Sequence, residues 1–199
     1  MHGMNELAQV LLIAIQLFAI LDPPGSIPAF LALTEGQDES RRARLAKTTT
    51  WLVLGLMVLF ALIGNYVLTA LGVSIESLKL GGGLLLLALS LDLVLGSRKE
   101  GNDEDEGAIV PVATPLLVGP GTITTLIILS AYHPVYVLLA AVALVSAMAY
   151  ACLRFSNALI RLVGRTGVKA MSRLMAVLIA AMAVEMIHSA LLAWGIAKS

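Results

Sequence analysis

Asp22-Pro23-Pro24-Gly25-Ser26-Ile27-Pro28 cuts through sequence that is otherwise apolar. Residues 7–21 before it read LAQVLLIAIQLFAIL, and AFLAL follows at 29–33. Proline lacks a backbone N–H and clashes with the preceding turn, at about 3 kcal/mol inside a helix. A carboxylate at mid-membrane costs roughly 2.5–3.5 kcal/mol on insertion scales. Penalties stacked at one depth point to a broken helix whose backbone and carboxylate face a cavity rather than lipid. The other reading makes 22–28 a surface loop, but the 15 residues of 7–21 fall short of the ~20 a span needs.

Composition places the break in a membrane. Of 199 residues, 59% are hydrophobic and 13% charged, and the mean hydropathy is +0.93. Soluble domains are about 25% charged, so the chain reads as a multi-pass membrane protein. Its formal net charge is zero, and nucleic acid is not an expected partner. The lone Cys152 excludes an internal disulfide or a cysteine metal cluster. No Lys or Arg precedes the first apolar run, which is expected to stay as a span of the mature protein.

Six apolar segments follow, at about 5–34 (interrupted), 48–72, 75–96, 108–131 (interrupted), 134–153 and 173–196. Residues 97–107 read as a polar, solvated loop with five acidic side chains. Residues 131–134 form a turn around His133-Pro134. Arg161, Arg165, Lys169 and Arg173 recur every four residues, with Phe155, Leu159, Leu162 and Val163 among them. That pattern fits an interfacial or span-extending helix at lipid headgroups. Eleven of the 13 Lys and Arg residues lie in the loops at 35–47, 97–107 and 154–173. Basic loops stay cytoplasmic, so both termini are expected outside the cytoplasm of a cell (inner or plasma) membrane.

The fourth segment repeats the oddity of the first. PVATPLLVGPGTITT at 111–125 carries Pro111, Pro115, Gly119, Pro120 and Gly121. PPGSIPAFLALT (23–34) over GPGTITTLIILS (119–130) aligns Pro24 with Pro120, Gly25 with Gly121, Ser26 with Thr122 and Ile27 with Ile123, without a gap. More weakly, LLLLALSLDL (84–93) over VLIAAMAVEM (177–186) pairs Asp92 with Glu185. Three spans per half force the second half to run in the opposite sense. The expected fold is therefore all-α, a single membrane domain of six spans in two inverted three-helix repeats, about 1–96 and 108–199.

Each break leaves carbonyls of one half-helix and N–H groups of the next without helical partners. The N–H ends suit an anion such as a carboxylate. The carbonyl ends, with Asp22, suit an ammonium group, Na⁺ or H⁺, so a small zwitterion matches both poles. Candidate substrate-binding residues are Asp22, Pro23, Pro24, Gly25, Ser26, Pro28, Pro115, Gly119, Pro120, Gly121, Thr122 and Thr124, with Ile27 and Ile123 as walls at most. The alternative is that these prolines and glycines only kink helices for packing. Candidates for a coupling ion are Asp22, Asp92, Glu185 and His188. The last two share a face and read either as an ion-responsive pair facing the bundle interior or as an interhelical hydrogen bond. Gly81-Gly82-Gly83 reads as close helix packing. No metal site, hydrolase triad or cofactor fingerprint is present, so no enzymatic activity or cofactor beyond H⁺ or Na⁺ is expected. The oligomeric state is left open.

DPPGSIPAFLALT (22–34), LGGGLLLLALSLDL (80–93), PLLVGPGTITT (115–125) and RLMAVLIAAMAVEMI (173–187) together resemble the MarC family of integral membrane proteins, over nearly the whole chain. Ser26 departs from the commoner DPxGNxP pattern, which has Asn there. The resemblance implies transport of small neutral amino acids such as glycine or alanine in some members. The rival readings are an exporter of metal ions or hydrophobic compounds, an intramembrane enzyme, and a non-transporting scaffold.

Overall fold

A computed structural model of the chain describes residues 5–95 and 118–197. Among these residues are seven helices and no strand. In chain order they are α1 (Glu6–Leu21), α2 (Pro23–Leu33), α3 (Glu39–Leu71), α4 (Ile75–Leu95), α5 (Pro120–Tyr132), α6 (Val135–Arg154) and α7 (Ser156–Ala193). By length and apolar composition α3, α4, α6 and α7 can each cross a membrane, and α1 with α2 makes a fifth, bent by 43°. The expected segment 108–131 is described only from Val118 on, where α5 has 13 residues. Pro111, Pro115 and the 97–107 loop lie outside the described residues.

The first break is narrower than its sequence. Only Asp22 leaves the helical path, and residues 23–33 are helical throughout. Pro23 and Pro24 occupy the first turn, where a helix has no use for their missing N–H groups. Pro28 sits inside the helix and withholds only the hydrogen bond to the Pro24 carbonyl.

Two other boundaries differ from the sequence pattern. α3 begins at Glu39, nine residues before the apolar run at 48, so Arg41, Arg42, Arg44 and Lys47 lie on its first turns. Asp38 starts it there, its Oδ1 accepting from the Arg41 N–H at 3.0 Å. The basic segment after Arg154 is continuous with the last span, with one kink at Gly164 (φ 72°, ψ 167°). That backbone state is open essentially to glycine alone.

The helices bury one large core between α1, α3, α5 and α6, centred on Leu17, Met57, Leu126 and Leu138. A smaller one joins Ile20, Leu86, Ile179 and Ala183 where α4 lies along α7. Close approach of that pair requires Gly83, where a Cβ would lie 2.8 Å from the Ala183 carbonyl oxygen. The Cβ of a residue at 82 would strike the Thr124 methyl on α5, whereas at 81 it would meet nothing within 4 Å. Two of the three glycines thus serve helix packing. The two short helices cross over: α2 packs on α6 and α7, while α5 packs on α3 and α4.

Candidate functional site

Asp22 is at once the last residue of one half-helix and the first of the next. Its backbone is left-handed (φ 42°, ψ 59°), and it is the one non-glycine residue with positive φ among those described. Asp tolerates that region better than most side chains because its short polar group bonds locally. Its N–H donates to the Phe18 carbonyl at 3.0 Å, closing α1, while its own carbonyl accepts from the Ser26 N–H at 3.3 Å, opening α2. The carboxylate then turns onto the N-terminus of α2, where Oδ1 accepts from the Gly25 N–H at 3.2 Å. An anion at a helix N-terminus is favoured by the peptide dipoles. Asp22 is only 4% exposed.

A second contact comes from the far end of the chain. Ser172, on α7 and 9% exposed, donates from Oγ to Asp22 Oδ1 at 3.4 Å. Gly25 makes room for this arrangement, since a Cβ there would overlap both the Asp22 carboxylate and the Ser172 hydroxyl. Cys152 on α6 is half-buried.

The start of α5 is built differently. Gly119 precedes it in an extended conformation (φ −83°, ψ 175°), and no side chain among the described residues caps it. Among the described residues nothing lies within 4 Å of the position a Cβ would take at Gly119. Pro120 is exposed, whereas Gly121 and Thr122 are buried. Gly121 sits beneath Leu86 and beside Ile20, whose Cγ2 would lie 3.7 Å from a Cβ at 121. Ile20 is two residues from Asp22, so the start of α5 lies beside the break between α1 and α2.

The hydroxyls nearest the breaks are committed inward. Ser26 Oγ donates to the Pro23 carbonyl at 2.7 Å, and Thr124 Oγ1 donates to the Pro120 carbonyl at 2.8 Å. Each hydroxyl spends its proton on the first turn of its own helix, leaving acceptor lone pairs as its offer to a ligand. Ile27 is buried and Ile123 half-buried.

Three expected coupling residues stand elsewhere. Asp92 on α4 and Glu185 and His188 on α7 are all exposed on the outside of the bundle. The reading of Glu185 and His188 as facing the interior is therefore corrected. α7 turns Ser172, Ala176, Ile179, Ala183 and Ala190 inward, and that leaves 185 and 188 on the opposite side. No group of three His, Cys, Asp or Glu side chains converges among the described residues. Ser172 escaped sequence reasoning, although it heads this same buried stripe of small residues.

Beside the break lies an apolar crevice of about 180 Å³ between α1, α6 and α7. Phe18 and Met175 line it, one helical turn from Asp22 and Ser172 respectively.

Long apolar helices with a capped break and a buried carboxylate define a multi-pass integral membrane protein. Residues 7–194 match the description "MarC family integral membrane protein", and the chain belongs to that family. It is similar to a UPF0056 membrane protein of Methanocaldococcus jannaschii, 35% identical over 184 residues, which are 86% of this chain and 90% of the relative. A UPF0056 membrane protein of Archaeoglobus fulgidus is 37% identical over 188 residues, 88% of each chain. UPF0056 membrane protein YhcE of Escherichia coli is 29% identical over 187 residues, 87% of each. No solved structure matches the chain significantly.

Proposed function

We propose that the chain is a secondary transporter of small neutral amino acids, of the glycine and alanine class, working by alternating access around its two helix breaks. One observation carries this reading: two neighbouring half-helix starts differ in charge. At α2 the Asp22 carboxylate already accepts from the Gly25 N–H, so that pole is negative and suits an ammonium group or a coupling H⁺ or Na⁺. At α5 no side chain among the described residues caps the start, so that pole is positive and suits a carboxylate. A zwitterion spans the two. The tight surroundings of Gly25 and Gly121 favour a substrate with little or no side chain.

The inverted-repeat architecture with six spans is part of this reading. It is supported by the crossed packing, in which each half-helix rests on two helices of the opposite half. An in-plane pseudo-two-fold axis requires that reciprocity. The basic faces on α3 and on the first part of α7 argue for cytoplasmic ends there and for both termini outside, in a cell inner or plasma membrane. The chemistry is transport, with no enzymatic step and no cofactor beyond the coupling ion.

Uptake of labelled glycine and alanine into proteoliposomes, with and without imposed H⁺ and Na⁺ gradients, tests the proposal. Accumulation above empty vesicles that responds to one gradient is expected, and uptake no better than empty vesicles across the small neutral amino acids would overturn it. The crevice between α1, α6 and α7 favours a second reading, export of a hydrophobic compound entering sideways from the lipid. Under that reading, substitutions at Phe18 and Met175 would change transport of dyes and leave amino acids untouched.

A further inference from the structure

Glu185 and His188 lie on an outward stripe of α7 with Leu174, Leu178 and Ala181, all exposed. These positions recur at intervals of four and three, the heptad spacing of a helix–helix seam. Arg173 and Trp194 flank the apolar part of α7, about twenty residues or ~30 Å apart, the thickness of a hydrocarbon layer. Glu185 falls near the middle of that distance. A carboxylate directed at lipid there is costly, and such residues pair with other groups instead. Glu185 has no hydrogen bond or ion pair with the described residues of its own chain. The matching stripe on α4, with exposed Leu85, Ala88 and Asp92, points outward in the same register that aligns Asp92 with Glu185.

We propose that this face of α7 is where a second copy of the chain docks, with Glu185 of each copy paired to His188 of the other. The seam is self-complementary. Two parallel α7 helices related by a two-fold axis along the membrane normal place an acidic and a basic-capable side chain one turn apart on both sides. Ala181 between them lets the backbones approach, as small residues do in membrane seams. A polar pair within such a seam fixes its register. The proposal does not depend on which solute is carried.

Disulfide trapping in liposomes tests it, in the full-length chain with Cys152→Ser as background. Ala181→Cys is expected to form a covalent dimer under mild oxidation, whereas Leu62→Cys, equally lipid-exposed on α3, is expected to form none. Adding Glu185→Gln to Ala181→Cys lowers trapping several-fold, and the exchange E185H/H188E restores it. Restoration shows that the loss was not misfolding. Equal trapping at 181 and 62, trapping unaffected by Glu185→Gln, or trapping of a different protein in native membranes would each overturn the proposal. So would single-step photobleaching of singly labelled chains in liposomes.

Discussion

The Ser172 hydroxyl donates to the Asp22 carboxylate at 3.4 Å, tying the start of the last span to the break in the first across 150 positions. Hydrogen bonds to charged groups usually contribute ~1.5–3 kcal/mol, and at 3.4 Å this one falls below that range, at about 1 kcal/mol. Ser172→Ala is expected to lower the thermal midpoint in detergent by about 2–4 °C. Uptake of small amino acids is expected to fall with it, because the carboxylate loses its tie to α7. An unchanged midpoint would place the hydroxyl outside the interactions that hold Asp22.

Asp22→Asn separates charge from shape. Asn caps helices about as well as Asp and tolerates the left-handed region, so stability is expected to change by less than about 1 kcal/mol. Asp22→Ala loses both properties and is expected to cost about 2–3 kcal/mol. Proteoliposome uptake is expected to drop at least tenfold in the Asn variant even though it folds. Full uptake by Asp22→Asn would reduce the carboxylate to a cap.

The two half-helix starts respond differently to one methyl group. Gly25→Ala drives a Cβ into Asp22 and Ser172 and is expected to destabilise by about 1–3 kcal/mol. Gly119→Ala meets nothing within 4 Å among the described residues and has an ordinary extended backbone, so its thermal midpoint is expected to hold. Its effect belongs to the ligand. A raised KM for glycine uptake at unchanged stability supports carboxylate binding at α5, and an unchanged KM argues against it.

The three consecutive glycines of α4 are separable in the same way. Gly81→Ala meets nothing within 4 Å and is expected to stabilise by about 0.8–1 kcal/mol through helix propensity. Gly83→Ala presses on the Ala183 backbone carbonyl, which cannot rotate aside, and is expected to cost about 1–3 kcal/mol. Thermal unfolding of the two variants side by side checks both signs.

Membrane residence, the break at Asp22 and a helix start at Pro120 were legible in the sequence by itself. Each rests on local physics, namely the apolar run a bilayer demands, the N–H that proline lacks and the conformational freedom of glycine. Even the width of the break was within reach, since Pro23 and Pro24 suit the first turn of a helix. The tertiary structure decided which groups meet. Ser172 joins Asp22 because α2 packs on α7, and Gly121 meets Ile20 because Leu86 closes over both. Conversely, Asp92, Glu185 and His188 were singled out by their chemistry, and packing turned them outward. A side chain's type is written in the chain, but the face it occupies depends on how neighbouring helices bury their small residues.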